Sequence, residues 1–295
     1  MASRSARSLV SLLVSALLAG GLVSHAQAAP SWSASVGAEG DDNGASTADA
    51  DIGWSPTDRF GVSFSAGHAK GSDESGDFSS TTLFAGIDWQ IAKRFGVALA
   101  YDAWDDSGAY EKRTTHGTVY IGNDRARVGL LAQSVTSTTT AELALLRREV
   151  QIDFDGQGYG AELELNGEHA GFYASYVSYD YDDSVDRLIA FLANPNLSQR
   201  PRLEALAGSG LTAAAALLDH SANVGANVYV RNCRLGVSYT LLRDLVSDSD
   251  SSSVRGEIEW PFAARWAARL TAGMNDSDVE NSALFGGVRI LYRSN

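Results

Sequence analysis

The chain has 295 residues, a formal net charge of −13 at pH 7 and a single cysteine, Cys233. An acidic chain is repelled by phosphate backbones, so nucleic acid is excluded as a partner. One cysteine cannot form a disulfide within the chain.

Residues 1–28 predict a cleaved export signal. Arg4 and Arg7 give a positive start, residues 9–23 are a short apolar stretch, and Ala-Gln-Ala at 26–28 is a small-x-small cleavage site. The apolar stretch is too short for a membrane anchor. We therefore expect cleavage after this motif and export of the mature chain.

The mature chain, residues 29–295, contains no apolar run near the ~18 residues that a spanning helix needs. It is built instead from short segments in which apolar and polar residues alternate. Alternation with a period of two predicts β-strands, and a barrel strand crosses a membrane in ~10 residues, half of them facing lipid. The pattern predicts an all-β, transmembrane antiparallel β-barrel of about 14 strands, with about 12 or 16 as alternatives.

Three predicted hairpins repeat one sequence motif, in which Ile-x-Trp is followed by four residues, an Arg and an aromatic residue. The motif predicts membrane-interface aromatics on both sides of each turn, namely Trp54 with Phe60, Trp89 with Phe95, and Trp260 with Trp266. Amphipathic rings favour the headgroup level of a membrane. In a soluble β-protein the same rings could plug the end of a core. Three copies behind an export signal favour the transmembrane barrel.

The connections between segments alternate in length and chemistry. Those at 40–44, 71–77, 102–111, 244–252 and 275–281 are long and acidic, and those at 55–59, 90–94, 123–125, 231–234 and 261–265 are short and carry Arg or Lys. Long loops of outer-membrane barrels lie outside the cell and short turns lie in the periplasm. Both cues predict the same orientation.

Residues 148–165 keep the alternation but change phase at 156–158, Gly-Gln-Gly. A glycine bulge in one long strand explains the change, and a separate extra hairpin is the alternative. The bulge puts Asp153 on the same inward face as Glu162 and Glu164. The tyrosine-rich segment that follows, at 170–181, has no clear facing.

Charged residues at alternate strand positions are predicted to face a lumen, because an Arg facing lipid costs ~2–4 kcal/mol near the midplane. The candidate pore-lining residues are Asp49, Asp51, Asp88, Asp102, Glu257, Glu259, Arg255, Arg269 and Arg289, and further inward charges are Asp153, Glu162, Glu164, Arg127 and Arg234. These charges either set the selectivity of an aqueous pore or pair off to fill a closed interior.

Residues 184–220 interrupt the strand pattern. Apolar residues there recur at helical spacing in two sets, the second beginning after Pro201 and running to Leu218. We expect two amphipathic helices in one extracellular loop, folded as an outer lid or partial plug.

No enzymatic motif is present. The four histidines of the mature chain are His68, His116, His169 and His220, and none lies in a motif that fixes a nucleophile beside it. There is no metal-ligand spacing and no P-loop or dinucleotide fingerprint, so no metal or cofactor is expected.

On its signal peptide, amphipathic strands and Ile-x-Trp hairpins, the mature chain resembles porin-like outer-membrane β-barrel proteins of Gram-negative bacteria. The resemblance implies the outer membrane as the location, with outer-membrane lipid, lipopolysaccharide and the barrel assembly machinery as partners. It implies a channel for passive or weakly selective passage of small polar solutes, and the acid excess indicates a cation preference. A structural or adhesive surface barrel with a blocked lumen is the alternative. In one departure from the class, the last aromatic, Tyr292, is followed by three more residues.

Overall fold

The computed structural model describes residues 31–73, 76–106, 110–123, 125–143, 148–182, 217–245, 249–278 and 280–294. The strands are β1 (Ser31–Asp41), β2 (Ser46–Thr57), β3 (Phe60–Asp73), β4 (Gly76–Ala92), β5 (Phe95–Asp105), β6 (Tyr110–Asn123), β7 (Ala126–Leu143), β8 (Arg148–Asn166), β9 (Ala170–Tyr181), β10 (Leu218–Val230), β11 (Cys233–Asp244), β12 (Asp250–Ala263), β13 (Trp266–Ser277) and β14 (Glu280–Arg293). Each strand pairs antiparallel with its neighbours in sequence, and β1 pairs with β14 to close the barrel. The predicted closed barrel of about fourteen strands is confirmed.

The register fixes the size of the barrel. A path that follows the paired residues once around the ring returns to β1 about 14 residues from its starting point, which is the shear number of the barrel. For fourteen strands this displacement gives a strand tilt of about 37° and a backbone radius of about 12 Å. A ring of this width has room for inward side chains and for water between them.

The two faces of the sheet are opposite in character to those of a soluble β-protein. Large hydrophobic side chains point outward, with Leu130 71% and Ile121 66% exposed. The alternate positions carry most of the charged side chains and point inward, and the pairing keeps this alternation in step around the whole ring. An apolar exterior on a closed barrel is the arrangement that a lipid bilayer selects.

The short turns and the two ends of the described chain lie together at one end of the barrel, which we call the turn end; the opposite end is the loop end. The six predicted interface aromatics all lie on the outer face near the turn end. Trp32 and Tyr292, which were not among the six predicted interface aromatics, extend this set. Trp32 stacks on Trp54 with ring centroids 5.8 Å apart, and Tyr292 packs edge-on against Trp266 at 5.1 Å.

The seam between β1 and β14 joins residues far apart in sequence. It runs from the pair Ser33 and Arg293 to the pair Asp41 and Phe285. Beyond it, the Ser294 backbone N–H donates to the Trp32 carbonyl at 2.8 Å, and the Trp32 N–H donates to Ser294 Oγ at 2.6 Å.

The expected glycine bulge is wrong, and so is the alternative of an extra hairpin. β8 is one strand of 19 residues, and its pairing with β7 and with β9 continues without a shift through Gly156 and Gly158. Asp153 therefore lies on the outer face, where it accepts a hydrogen bond from Thr138 Oγ1 at 2.9 Å. Its neighbour Phe154 points inward and is buried.

Two other sequence predictions lie wholly or mostly outside the described residues. The export signal at 1–28 is one. The helical insertion at 184–220 is the other, except at its end, where Leu218–His220 begin β10 as a strand. Within the residues that the structure describes, no helix is long and apolar enough to cross a membrane.

Candidate functional site

The inner wall of the barrel is the candidate site. The structure places all nine candidate pore-lining residues on the inner face: Asp49, Asp51, Asp88, Asp102, Glu257, Glu259, Arg255, Arg269 and Arg289. Arg127, Arg234, Glu162 and Glu164 point the same way. The inward side chains form separate clusters along the wall.

One cluster bridges the seam between the first and last strands. Arg289 on β14 forms ion pairs with Asp49 and Asp51 on β2, and it donates to Ser35 Oγ on β1 at 2.9 Å. Ser35 in turn donates to Asp51 at 2.7 Å. Gly37 on β1 has no side chain, which leaves space for the guanidinium. A Cβ there would lie 3.0 Å from Asp49 and 3.2 Å from Arg289.

A second contact reaches from β12 to β1. Arg255 Nη2 donates to both carboxylate oxygens of Glu39, at 2.8 and 3.1 Å, and its guanidinium lies 5.3 Å from the centre of the Phe285 ring. Glu39 was missing from the predicted set of inward acids. The signal was present, because Glu39 alternates with the outward Val36 and Ala38.

A third cluster, the turn-end ion chain, alternates bases and acids in the order Arg293, Glu259, Arg269, Glu257, Arg234. The closest N–O distances along it are 2.7, 2.7, 3.7 and 2.5 Å. Glu259 therefore holds two arginines, and so does Glu257. The chain crosses the wall from β14 to β11 near the turn end.

A fourth cluster joins β4 to β8. Arg127 donates to Glu164 through Nη2 at 2.5 Å and Nε at 3.0 Å, and it reaches Asp88 at 3.4 Å. The same guanidinium lies over the ring of Tyr120, 4.6 Å from its centre, and the Tyr120 hydroxyl donates to Asp88 at 2.9 Å. Tyr120 lies over Gly96 on the neighbouring strand, where any side chain would overlap the ring.

Nearer the loop end, polar side chains follow one level of the wall across β5 to β7. His116 Nε2 bonds to Asp102, and Gln133 is the residue opposite His116 on β7. Lys112 also points inward, and the charges of Asp102 and of Asp244 on β11 both act on it. His116 and Lys112 were not predicted as lumen residues.

The remaining histidines lie away from this wall. His68 is on the outer face beside Thr81, at 3.4 Å, His169 lies in the turn before β9, and His220 is on the outer face in contact with Asp219. Among the described residues, no group of three or more His, Cys, Asp or Glu side chains could hold a metal ion.

No family model and no curated protein matches the chain. Among solved structures, the CymD monoaromatic hydrocarbon channel aligns with 91% of this chain and 89% of its own at 8% identity, with a TM-score of 0.52. The KdgM porin in complex with disordered oligogalacturonate aligns with 88% and 98% at 8% identity and a TM-score of 0.43. OmpT, an outer membrane protein of Vibrio cholerae, aligns with 90% and 96% at 11% identity and a TM-score of 0.45.

At such identities the likeness concerns the fold alone, and the alignment with CymD carries it. The chain shares the closed β-barrel fold of the CymD channel. The predicted class-level resemblance is confirmed.

Proposed function

We propose that this barrel is an outer-membrane channel for passive or weakly selective passage of small polar solutes. The observation that supports a channel is the direction of the ion pairs. Arg127, Arg255 and Arg289 each bond to acids at most three strands away, and the arginines of the turn-end ion chain bond to acids one or two strands away. The opposite wall lies seven strands away in a ring of fourteen.

Ion pairs of this kind lie along the wall. A salt-bridge network that closed the barrel would have to join opposite walls, about 24 Å apart at the backbone. Side chains that bond to near neighbours leave room for water along the axis at these levels, whereas near the loop end the charge of Asp244 acts on Lys112, five strands away. The alternative, a structural or adhesive barrel with a blocked lumen, is less well supported by these contacts.

The balance of charge favours cations. Acids outnumber bases among the described residues that point inward. The acids are Glu39, Asp49, Asp51, Asp88, Asp102, Glu162, Glu164, Glu257 and Glu259, and the bases are Lys112, Arg127, Arg234, Arg255, Arg269, Arg289 and Arg293. A cleft with an excess of one charge concentrates the opposite ions. We propose no enzymatic activity for the wall that the described residues form.

Conductance tests the proposal directly. Purified, refolded mature protein should open steady, ohmic steps in a planar lipid bilayer, and a KCl gradient should give a reversal potential of the sign that cation preference requires. A barrel that inserts but never conducts would support the blocked-lumen alternative. Steady conductance with an anion-selective reversal potential would leave the channel standing and reject the cation preference.

Location has its own expected result. The apolar exterior and the aromatic set at the turn end should hold the protein among outer-membrane lipid and lipopolysaccharide. We propose that Tyr292, which lies on the outer face against Trp266, marks the last strand for the barrel assembly machinery despite the residues after it. The protein should fractionate with outer membranes and run faster on gels when unboiled. Recovery as a soluble periplasmic monomer would contradict this location.

A further inference from the structure

Positively charged side chains follow the rim of the barrel at the turn end, and we call them the basic ring. Five short turns carry them, after β2, β4, β6, β10 and β12. The six bases are all exposed: Arg59, Lys93, Arg94, Arg125, Arg231 and Arg265. The turns at this end contain only three acids, Asp58, Asp124 and Glu168. The turn end is therefore positive, although the whole chain is acidic.

The backbone fixes the position of four of these bases. In each case the carbonyl of the turn arginine accepts a hydrogen bond from a backbone N–H of the next hairpin or of the last strand. The bonds run from Gln90 to Arg59, Gly122 to Arg94, Asn166 to Arg125 and Arg293 to Arg265, at 2.7, 3.0, 2.7 and 2.9 Å. Neighbouring turns are thus tied together, so the spacing of the charges is set by the fold.

Arg231 lies in a turn conformation that is unfavourable for an arginine. Its φ is 57°, in the left-handed region that glycine and asparagine adopt more readily. No other non-glycine residue of the described chain has a positive φ. A long basic side chain at such a position is not explained by the turn itself, and its charge offers a reason for it.

The bases of the ring have no acid partner among the described residues. At the loop end, by contrast, Arg113 pairs with Glu111 at 3.3 Å and Arg243 pairs with Asp250 at 3.1 Å. The inward arginines are paired with acids as well. The charges of the ring are therefore available to a partner outside the chain.

The ring lies beside the interface aromatics. In three turns a base directly precedes an aromatic of that set, as Arg59 precedes Phe60, Arg94 precedes Phe95 and Arg265 precedes Trp266. Aromatic rings favour the headgroup level of a membrane, and one residue further along a strand is a displacement of ~3.3 Å. The bases therefore lie at the level of the lipid phosphates.

The distribution of the bases around the rim favours lipid over a globular partner. The rim is about 75 Å in circumference at the backbone. The bases follow it except at the turn after β8, which carries Glu168 and His169. A globular protein would contact one side of such a rim, whereas the surrounding leaflet contacts all of it. Arginine also matches phosphate oxygens well, because its planar fork donates two parallel hydrogen bonds.

We propose that the basic ring binds the phosphate groups of anionic phospholipids, such as phosphatidylglycerol, in the leaflet around the turn end. In the expected orientation this is the periplasmic leaflet. The proposal concerns the outer rim of the barrel and does not depend on conduction through the lumen.

Fluorescence quenching by spin-labelled lipids tests the proposal. Five of the six tryptophans, Trp32, Trp54, Trp89, Trp260 and Trp266, lie on the outer face at the turn end, and the sixth, Trp104, is buried inside. The mature protein is placed in phosphatidylcholine bilayers that contain a little phosphatidylglycerol or phosphatidylcholine with a nitroxide near the headgroup. At about 0.1 M salt the labelled phosphatidylglycerol should bind about threefold more tightly. At about 1 M salt the preference should largely disappear, since charges are screened within ~3 Å.

Charge variants assign the preference to the ring. Replacing all six bases with Gln should abolish it, and replacing the five arginines with Lys should keep most of it because the charge remains. Arg59→Gln with Arg94→Gln should lower it in part. Lys70→Gln with Arg113→Gln is the matched control, since it removes the same charge from exposed positions near the loop end. The fast-running gel band of unboiled protein shows that each variant is folded.

The outcomes separate this proposal from the channel and from another partner. Equal quenching by both labelled lipids would overturn it, and so would a preference that survives in the variant with six Gln residues. Equal quenching together with ring-dependent binding to purified peptidoglycan would assign the ring to the cell wall instead. A barrel that never conducts but keeps the lipid preference would reject the channel and support the ring.

Discussion

Replacing Glu257 and Glu259 with Gln should shift the ion selectivity at the turn end of the channel from cations towards anions. The two acids hold Arg234, Arg269 and Arg293 in one alternating chain. Without them, three guanidinium groups face the lumen with no carboxylate in the chain. Each lost charge acts on an ion about 10 Å away with about 0.4 kcal/mol in water, before screening by salt.

Anions gain and cations lose from the same change, so the effects on the permeability ratio add. At about 0.1 M salt the ratio of cation to anion permeability should fall by about threefold, and by more at lower salt. Reversal potentials in a KCl gradient measure the ratio. Val254→Thr is the matched control, since Val254 lies on the same strand but points outward and is 45% exposed. An unchanged ratio in the double variant would show that ions do not pass this wall.

Replacing Arg289 with Met should destabilise the closed barrel. The change leaves Asp49 and Asp51 as two like charges on one strand, and within the cluster only Asp51 keeps a hydrogen bond, from Ser35. Losing one partner of a partly buried ion pair leaves the other uncompensated, and contact with lumen water reduces the penalty to about 1–3 kcal/mol. The temperature at which the fast-running gel band converts to the unfolded one should drop accordingly.

Two variants show whether charge or shape causes the loss. Adding Asp49→Asn and Asp51→Asn to Arg289→Met removes the unpaired charges and should restore most of the transition temperature. Arg113→Met breaks a pair with Glu111 whose side chains are 62% and 49% exposed, so it should change little. A triple variant no more stable than Arg289→Met would place the effect in packing at the seam.

The sequence was sufficient for the strands and for most inward charges because lipid imposes one simple rule. Every outward position at membrane depth must be apolar, so the alternation of residues such as Asp49 and Asp51 with apolar neighbours assigns the two faces. The Ile-x-Trp hairpins add the position of the membrane boundary. Neither signal depends on contacts between distant parts of the chain.

Asp153 was assigned to the wrong face because outward residues need to be apolar only where a strand lies within the bilayer. β8 continues past the outward Tyr159 towards the loop end, and there Asp153 and Asp155 point outward while Phe154 is buried inside. The face that carries the hydrophobic side chains changes from outer to inner, although the strand continues without a shift in register. A phase change in a long barrel strand can therefore mark the end of the membrane as well as a bulge.

The partners of the charges could not be predicted from the sequence. Arg255 bonds to Glu39, which is 216 residues away, and this pairing depends on barrel closure and on the strand tilt. The facing of β9 was hidden for another reason. Tyrosine suits both a membrane interface and a polar lumen, and β9 has Tyr176 outward but Tyr179 and Tyr181 inward.

The seam between β1 and β14 also has a consequence for how the molecule folds. Trp32 and Ser294 exchange hydrogen bonds across 262 residues of chain, so bringing the two ends together costs about 5 kcal/mol of loop-closure entropy. Contacts of such long range form late and slowly. Until they form, β1 and β14 are edge strands with unpaired N–H and C=O groups, which invite pairing with other chains. Barrel closure therefore competes with aggregation when other copies are present. Shielding the β1 and β14 edges from other chains until they pair favours closure over aggregation.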